Sequence, residues 1–143
     1  MQRIDQAIRI SPGNKVLSTV ANAPPTAAGA NLFLGRIANR QGQYPEAVRY
    51  LNLALQAHPG YPDAYAELGV IYLKQREYAP AQQALEKALE LSPDNYVANF
   101  NLRILYERTK NPKAEEQKAR FEQVKDQRAK RAREFLRTIE VKP

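Results

Sequence analysis

Apolar residues in this chain recur three and four positions apart, in paired blocks. Tyr65, Leu68 and Tyr72 form one block and Ala81, Leu85 and Ala88 the next, with the polar stretch Arg76-Glu77 between them. That spacing puts each block on one face of a helix, and the polar break makes the pair two antiparallel helices. Pro93 ends the second helix because its ring cannot continue the hydrogen-bond ladder, and Asp94 or Asn95 is placed to cap the next one. Gly69, Ala81 and Ala88 let the two backbones approach closely, while Tyr65 and Tyr72 fill space toward the neighbouring block. Laying residues 28–61 over 62–95 without a gap gives eleven identities, including Ala30/Ala64, Leu34/Leu68, Gly35/Gly69, Ile37/Ile71, Leu51/Leu85 and Pro59/Pro93. The period is 34 residues. One such hairpin cannot bury its own apolar face, so the pattern predicts an all-α chain whose core forms between stacked units.

The set Tyr65, Leu68-Gly69, Tyr72, Ala81, Leu85, Ala88 and Pro93 in unit 62–95 resembles the tetratricopeptide repeat (TPR) family at every pattern position. Unit 28–61 offers Asn31, Leu34-Gly35, Ala38, Ala47, Leu51, Ala54 and Pro59, departing at the two aromatic positions. The resemblance implies a short right-handed α-solenoid of helix-turn-helix units. A third, degenerate unit contributes a first helix over 96–112, with Asn99, Leu102, Arg103 and Tyr106 at the pattern positions and Arg103 where glycine belongs. Its second helix meets Glu115 where alanine is wanted; Ala114 fits if the turn at Asn111-Pro112 is one residue shorter. Terminal repeats are atypical because one of their faces meets water, so an altered packing of the last helix is expected.

Both ends depart from the period. Residues 1–14 repeat the end of unit 62–95, with Ala7/Ala88, Ser11/Ser92, Pro12/Pro93 and Asn14/Asn95 identical and Ile4/Leu85 and Ile8/Leu89 similar. Residues 1–27 therefore read as a partial repeat and short helices capping the N-terminal end, with a short helix over Lys15–Asn22. This gives the expectation that the chain is the C-terminal part of a larger repeat protein. Residues 113–143 read as a long basic C-terminal capping helix.

Charge sharpens the picture of that helix. The chain carries 22 Lys+Arg against 15 Asp+Glu, a formal +7, and residues 113–137 alone hold nine basic and five acidic side chains. The solenoid body is nearly neutral. Ala114, Phe121 and Val124 share a face suited to packing on the third unit, whereas Phe135, Leu136 and Ile139 lie farther along as a candidate second interface for self-association or docking. Lys125, Arg128, Lys130, Arg131, Arg133 and Arg137 supply an alternative reading, a nucleic-acid-associated helical protein, weakened by Asp126 and Glu134 within the cluster and by the lack of interleaved aromatics.

Chemistry is sparse. With no cysteine, thiolate metal sites, disulfides and cysteine nucleophiles are excluded. His58, the one histidine, stands beside Pro59 at a helix end and has no second imidazole to join it. No Gly-rich phosphate loop is present, and the paired glutamates have helix-surface spacing. The reading is a non-enzyme with no cofactor and no metal, without a signal peptide or a membrane span, and of unassigned compartment.

What the TPR resemblance implies is a concave groove lined by the first helix of each unit, holding a peptide or a partner helix. By position the groove residues are Leu32, Arg36, Asn39 and Arg40; Ala66, Val70, Leu73 and Lys74; and Phe100, Ile104 and Arg108. They make an apolar stripe edged with basic side chains, suited to a segment with apolar anchors and acidic flanks, unless the chain's own ends cover it. Family members that clamp a chaperone C-terminal carboxylate use positions that read here Leu32, Arg36, Glu67, Val97 and Asn101; Glu67 would repel the carboxylate, which disfavours that ligand.

Overall fold

The computed structural model describes residues 25–141, so the readings that fall on residues 1–24 lie outside the described residues. Among the described residues there are six helices, in chain order α1 (Pro25–Arg40), α2 (Tyr44–Ala57), α3 (Pro62–Lys74), α4 (Tyr78–Leu91), α5 (Tyr96–Arg108) and α6 (Ala114–Val141). There is no strand among the described residues. Helices pair in sequence as α1/α2, α3/α4 and α5/α6, and each later pair stacks on the one before through α2/α3 and α4/α5, with α1, α3 and α5 side by side. The fold is a helical solenoid, as the period requires.

The same turn closes each first helix. Gly42, Arg76 and Lys110, spaced 34 apart, all adopt positive φ (75°, 62° and 55°). The amides of Gln43, Glu77 and Asn111 then donate back to the carbonyls of Ala38, Tyr72 and Tyr106, each at 2.9 Å. This left-handed cap satisfies the last carbonyls of a helix and reverses the chain; glycine adopts it freely, whereas Arg76 and Lys110 hold it against a steric cost of about 1 kcal/mol. Asn95 caps α5, its side-chain oxygen accepting from the Ala98 amide at 2.9 Å.

Within units one and two, glycine faces leucine. A Cβ on Gly69 would lie 2.5 Å from Leu85 side-chain atoms, and one on Gly35 would lie 2.9 Å from those of Leu51. Leu51, Leu85, Ile71 and Leu105 are fully buried at the centres of two clusters, one between units one and two and the other between units two and three.

The third unit is built differently from the sequence expectation. The turn after α5 is two residues longer than its counterparts, not one shorter: Ala47 and Ala81 donate to Gln43 and Glu77, while the equivalent bond joins Gln117 to Lys113. Asn111 causes the extension, because its side-chain oxygen accepts from the Lys113 amide at 2.8 Å and its carbonyl accepts from Ala114, winding in an extra turn. Gln117, Phe121 and Val124 thereby take the buried positions of Ala81, Leu85 and Ala88. Arg103, at the glycine position, lies over the rings of Phe100 and Phe121 (5.6 and 5.4 Å to the centroids) and fills the interface that Gly69 leaves to Leu85.

A buried amide pair holds α6 in place. Gln117 Nε2 donates to the Asn99 side-chain oxygen at 3.0 Å, and Asn99 Nδ2 donates to the carbonyls of Asn95 and Pro93. Asn99 is fully buried, so a truncation strands these groups. Asn99→Ala is expected to cost about 2 kcal/mol, measured by denaturant unfolding, whereas an exposed site such as Gln83→Ala should stay within about 0.5 kcal/mol.

A concave cleft as the candidate functional site

The first helices of the three units form one face, and the structure distributes the eleven groove residues over it unequally. Leu32 and Ala66 are buried in the core clusters and do not line an open surface. Asn39 is also buried, its side-chain oxygen accepting from Lys74 Nζ at 3.0 Å. Arg36 is tied to Glu67 by an ion pair at 3.0 Å across α1 and α3. Phe100 turns toward the C-terminal helix, its ring centroid 5.4 Å from that of Phe121 and stacked beside Tyr96. Arg40 is exposed. The expected stripe of five apolar side chains is therefore interrupted, because Leu32 belongs to the core and Phe100 is partly covered by α6.

What remains open is a compact cleft. Val70, Leu73, Lys74, Ile104 and Arg108 come together with Tyr44, Arg76 and Asn101 around a volume of about 420 Å³. Val70 and Ile104 are half-buried and offer the accessible apolar surface; Leu73 is almost fully buried beneath. Lys74, Arg76 and Arg108 are exposed, and among the described residues no carboxylate lines the cleft. Sequence reasoning missed Tyr44 and Arg76 as lining residues. Their signal lay in the turn: the left-handed conformation at Arg76 returns the chain so that its side chain joins Lys74 at the rim.

The basic C-terminal helix is partly engaged with the body. Arg120 pairs with Asp94 at 2.8 Å and donates to the Pro93 carbonyl, and Arg128 lies over the Tyr96 ring at 4.4 Å. Phe121 and Val124 are buried, as expected of the proximal group. Beyond Arg131 every side chain to Ile139 is exposed, and Phe135, Leu136 and Ile139 retain 66%, 56% and 52% of their accessible surface.

A second cleft of about 550 Å³ lies between α4, α5 and α6. There Tyr106 donates to Glu86 at 2.5 Å. Burial first, and then that hydrogen bond and the carboxylate charge, push the Tyr106 hydroxyl well above the usual tyrosine range, so it remains a neutral donor that cross-links α5 to α4. His58 is exposed, 5.1 Å from the Tyr61 ring and joined by no second imidazole. Among the described residues no group of three His, Cys, Asp or Glu side chains is placed to hold a metal ion, and no helix is long and apolar enough to cross a membrane.

Two tetratricopeptide repeat family models match the chain, over residues 26–94 and 66–123, and together span more than half of it. Among curated proteins, ER membrane protein complex subunit 2 of Xenopus tropicalis is 30% identical over 96 residues, which is 67% of this chain and 30% of that protein. The peroxisomal targeting signal receptor of Pichia angusta is 39% identical over 61 residues, 43% of this chain and 11% of the receptor. The chain thus spans less than a third of either relative. Of solved structures, MamA superposes with a TM-score of 0.61 at 24% identity, covering 83% of this chain and 68% of MamA. The second TPR domain of Spaghetti (RPAP3), solved with the HSP90 peptide SRMEEVD, gives 0.60 at 23% identity, covering 70% of this chain and 91% of that one. The repeat period, the recurring turn, the glycine–leucine contacts and these matches agree: the chain belongs to the tetratricopeptide repeat family.

Proposed function

We propose that this chain is a non-catalytic protein-interaction module that takes an extended peptide or helix in its concave cleft, with apolar side chains on Val70 and Ile104 and acidic groups toward Lys74, Arg76 and Arg108. The observation that carries the reading is a cleft with an apolar floor, three cations at its rim and, among the described residues, no carboxylate lining it. A floor of this size takes few anchoring side chains, so the cations set orientation and encounter rate. Chaperone-tail capture is disfavoured, because Glu67 occupies one clamp position and already holds Arg36. The test is partner capture by the wild-type chain against one carrying Val70→Glu and Ile104→Glu: loss supports the cleft, and unchanged capture removes it.

Phe135, Leu136 and Ile139 form the second surface of the proposal, on the projecting part of α6. Their combined apolar area is small against the roughly 1,200–2,000 Å² of a stable interface, so self-association through them alone is weak. Phe135→Ser with Leu136→Ser is expected to leave the unfolding midpoint unchanged, since both side chains are more than half exposed. If this surface joins copies, the same variant lowers the sedimentation-average mass at high protein concentration; an unchanged mass assigns the surface no role in self-association.

A further inference from the structure

Positive charge on the body is sorted by place. Between residues 25 and 112 the cations that form ion pairs are Arg36 with Glu67, Arg49 with Glu46, Lys87 with Glu90 and Arg103 with Glu107. The other five, Arg40, Lys74, Arg76, Arg108 and Lys110, are all exposed and pair with no carboxylate among the described residues. They share one edge. Arg40, Lys74 and Arg108 stand one 34-residue period apart in the last turns of α1, α3 and α5, and Arg76 and Lys110 follow in the turns beyond. Within the turn segments 40–43, 74–77 and 108–111 Glu77 is the one carboxylate. The helix dipole does not account for this placement: a cation in the last turn is favourable to any helix, yet α2 and α4 end without one. Nor does the turn require it, since Gly42 fills the left-handed position freely while Arg76 and Lys110 hold it at positive φ.

We propose that these cations form a ladder across the stacked units for an extended acidic peptide whose carboxylates recur every third residue. Resting on the reading of the concave face as a peptide site, the ladder carries recognition past the cleft, because Arg40 and Lys110 are not among the residues that line it. The spacing sets the register. Helices α1, α3 and α5 lie side by side, and packed helices stand about 8–10 Å apart. In the polyproline II conformation a chain advances about 3.1 Å per residue with three residues per turn, so side chains three apart lie on one side of it, about 9 Å from each other. Carboxylates at i, i+3 and i+6 therefore meet Arg40, Lys74 and Arg108 in turn, with Arg76 and Lys110 beside the second and third. Lys74 is already held in place, its Nζ donating to the neutral side chain of Asn39 at 3.0 Å. Cations this widely spaced suit spaced carboxylates, whereas a nucleic-acid strand presents a phosphate at every residue.

Labelled synthetic peptides of one composition, holding three glutamates and one leucine, test the ladder by fluorescence anisotropy at low salt. With the glutamates three residues apart the peptide is expected to bind about tenfold tighter than with them contiguous, since two rungs are then out of reach. Arg40→Glu should weaken the spaced peptide by about tenfold, while Arg40→Lys, which keeps the charge, stays within about twofold of wild type. Arg40 is exposed and outside the cleft, so neither substitution disturbs the core or the apolar floor. Equal affinity for the two peptides, an Arg40→Glu chain that binds as wild type does, or tighter binding of an oligothymidylate than of either peptide overturns the ladder. Replacing the peptide's leucine by serine reads the floor separately: affinity indifferent to the leucine counts against Val70 and Ile104 and not against the cations. Failure of both peptides to bind overturns the two together.

Discussion

A chain carrying Val70→Glu and Ile104→Glu is expected to lose partner capture while keeping its fold. Both side chains are half-buried at the mouth of the cleft rather than in the core clusters, so the glutamates reach water. The stability cost is about 1 kcal/mol each, a lowering of the melting midpoint by several degrees. Binding loses much more. For the proposed ligand, two apolar contacts worth about 1.5–3 kcal/mol each disappear and two carboxylates oppose its acidic groups, which together should weaken affinity by roughly 100-fold or more. Titration calorimetry or immobilised-partner binding reads the loss, with circular dichroism confirming helicity. On the proposed reading the wild-type affinity should also fall as salt rises, because Lys74, Arg76 and Arg108 are solvent-exposed charges. Binding insensitive to salt would remove the cations from the recognition scheme.

Leu85→Ala is expected to be the most damaging single stability change among those considered. Leu85 is fully buried between α3 and α4, and truncating such a leucine costs about 2–5 kcal/mol through lost transfer energy and a residual cavity. The neighbouring glycine makes a sharper test. In the native background Gly69→Ala drives a methyl to within 2.5 Å of Leu85, at a cost of about 1–3 kcal/mol, which outweighs the roughly 1 kcal/mol gain in helix propensity. In the Leu85→Ala background the obstruction is gone, and the same substitution should stabilise. The sign therefore inverts, and a double-mutant cycle by denaturant unfolding measures the coupling directly. Gly35→Ala meets Leu51 at 2.9 Å, a softer contact, so its net effect should be smaller than that of Gly69→Ala. Additive behaviour at Gly69 and Leu85 would mean that the helix pair relaxes freely instead of being held by this contact.

The cleft was legible in part. Val70, Lys74, Ile104 and Arg108 follow from the repeat register, because side chains at equivalent positions of stacked helices share a face. Leu32 and Ala66 occupy the same register yet are buried, since whether a position opens to solvent depends on how closely neighbouring helices pack around it. Arg76 entered through a backbone dihedral, which the register does not carry. Phe100 was redirected by α6, whose position depends on a turn two residues longer than the period allows.

By itself the sequence determined the helices, their pairing and the stacking of units. Each of these rests on local spacing repeated every 34 residues, with proline, glycine and small residues marking where chains turn or approach. Only the tertiary structure decided the third unit and the mouth of the groove. Asn111 winds in an extra turn, Gln117 and Phe121 slide into the places of alanine and leucine, and Arg103 fills the space a glycine would have left. Those outcomes turn on volumes and hydrogen bonds between residues far apart in the chain, which periodicity does not encode.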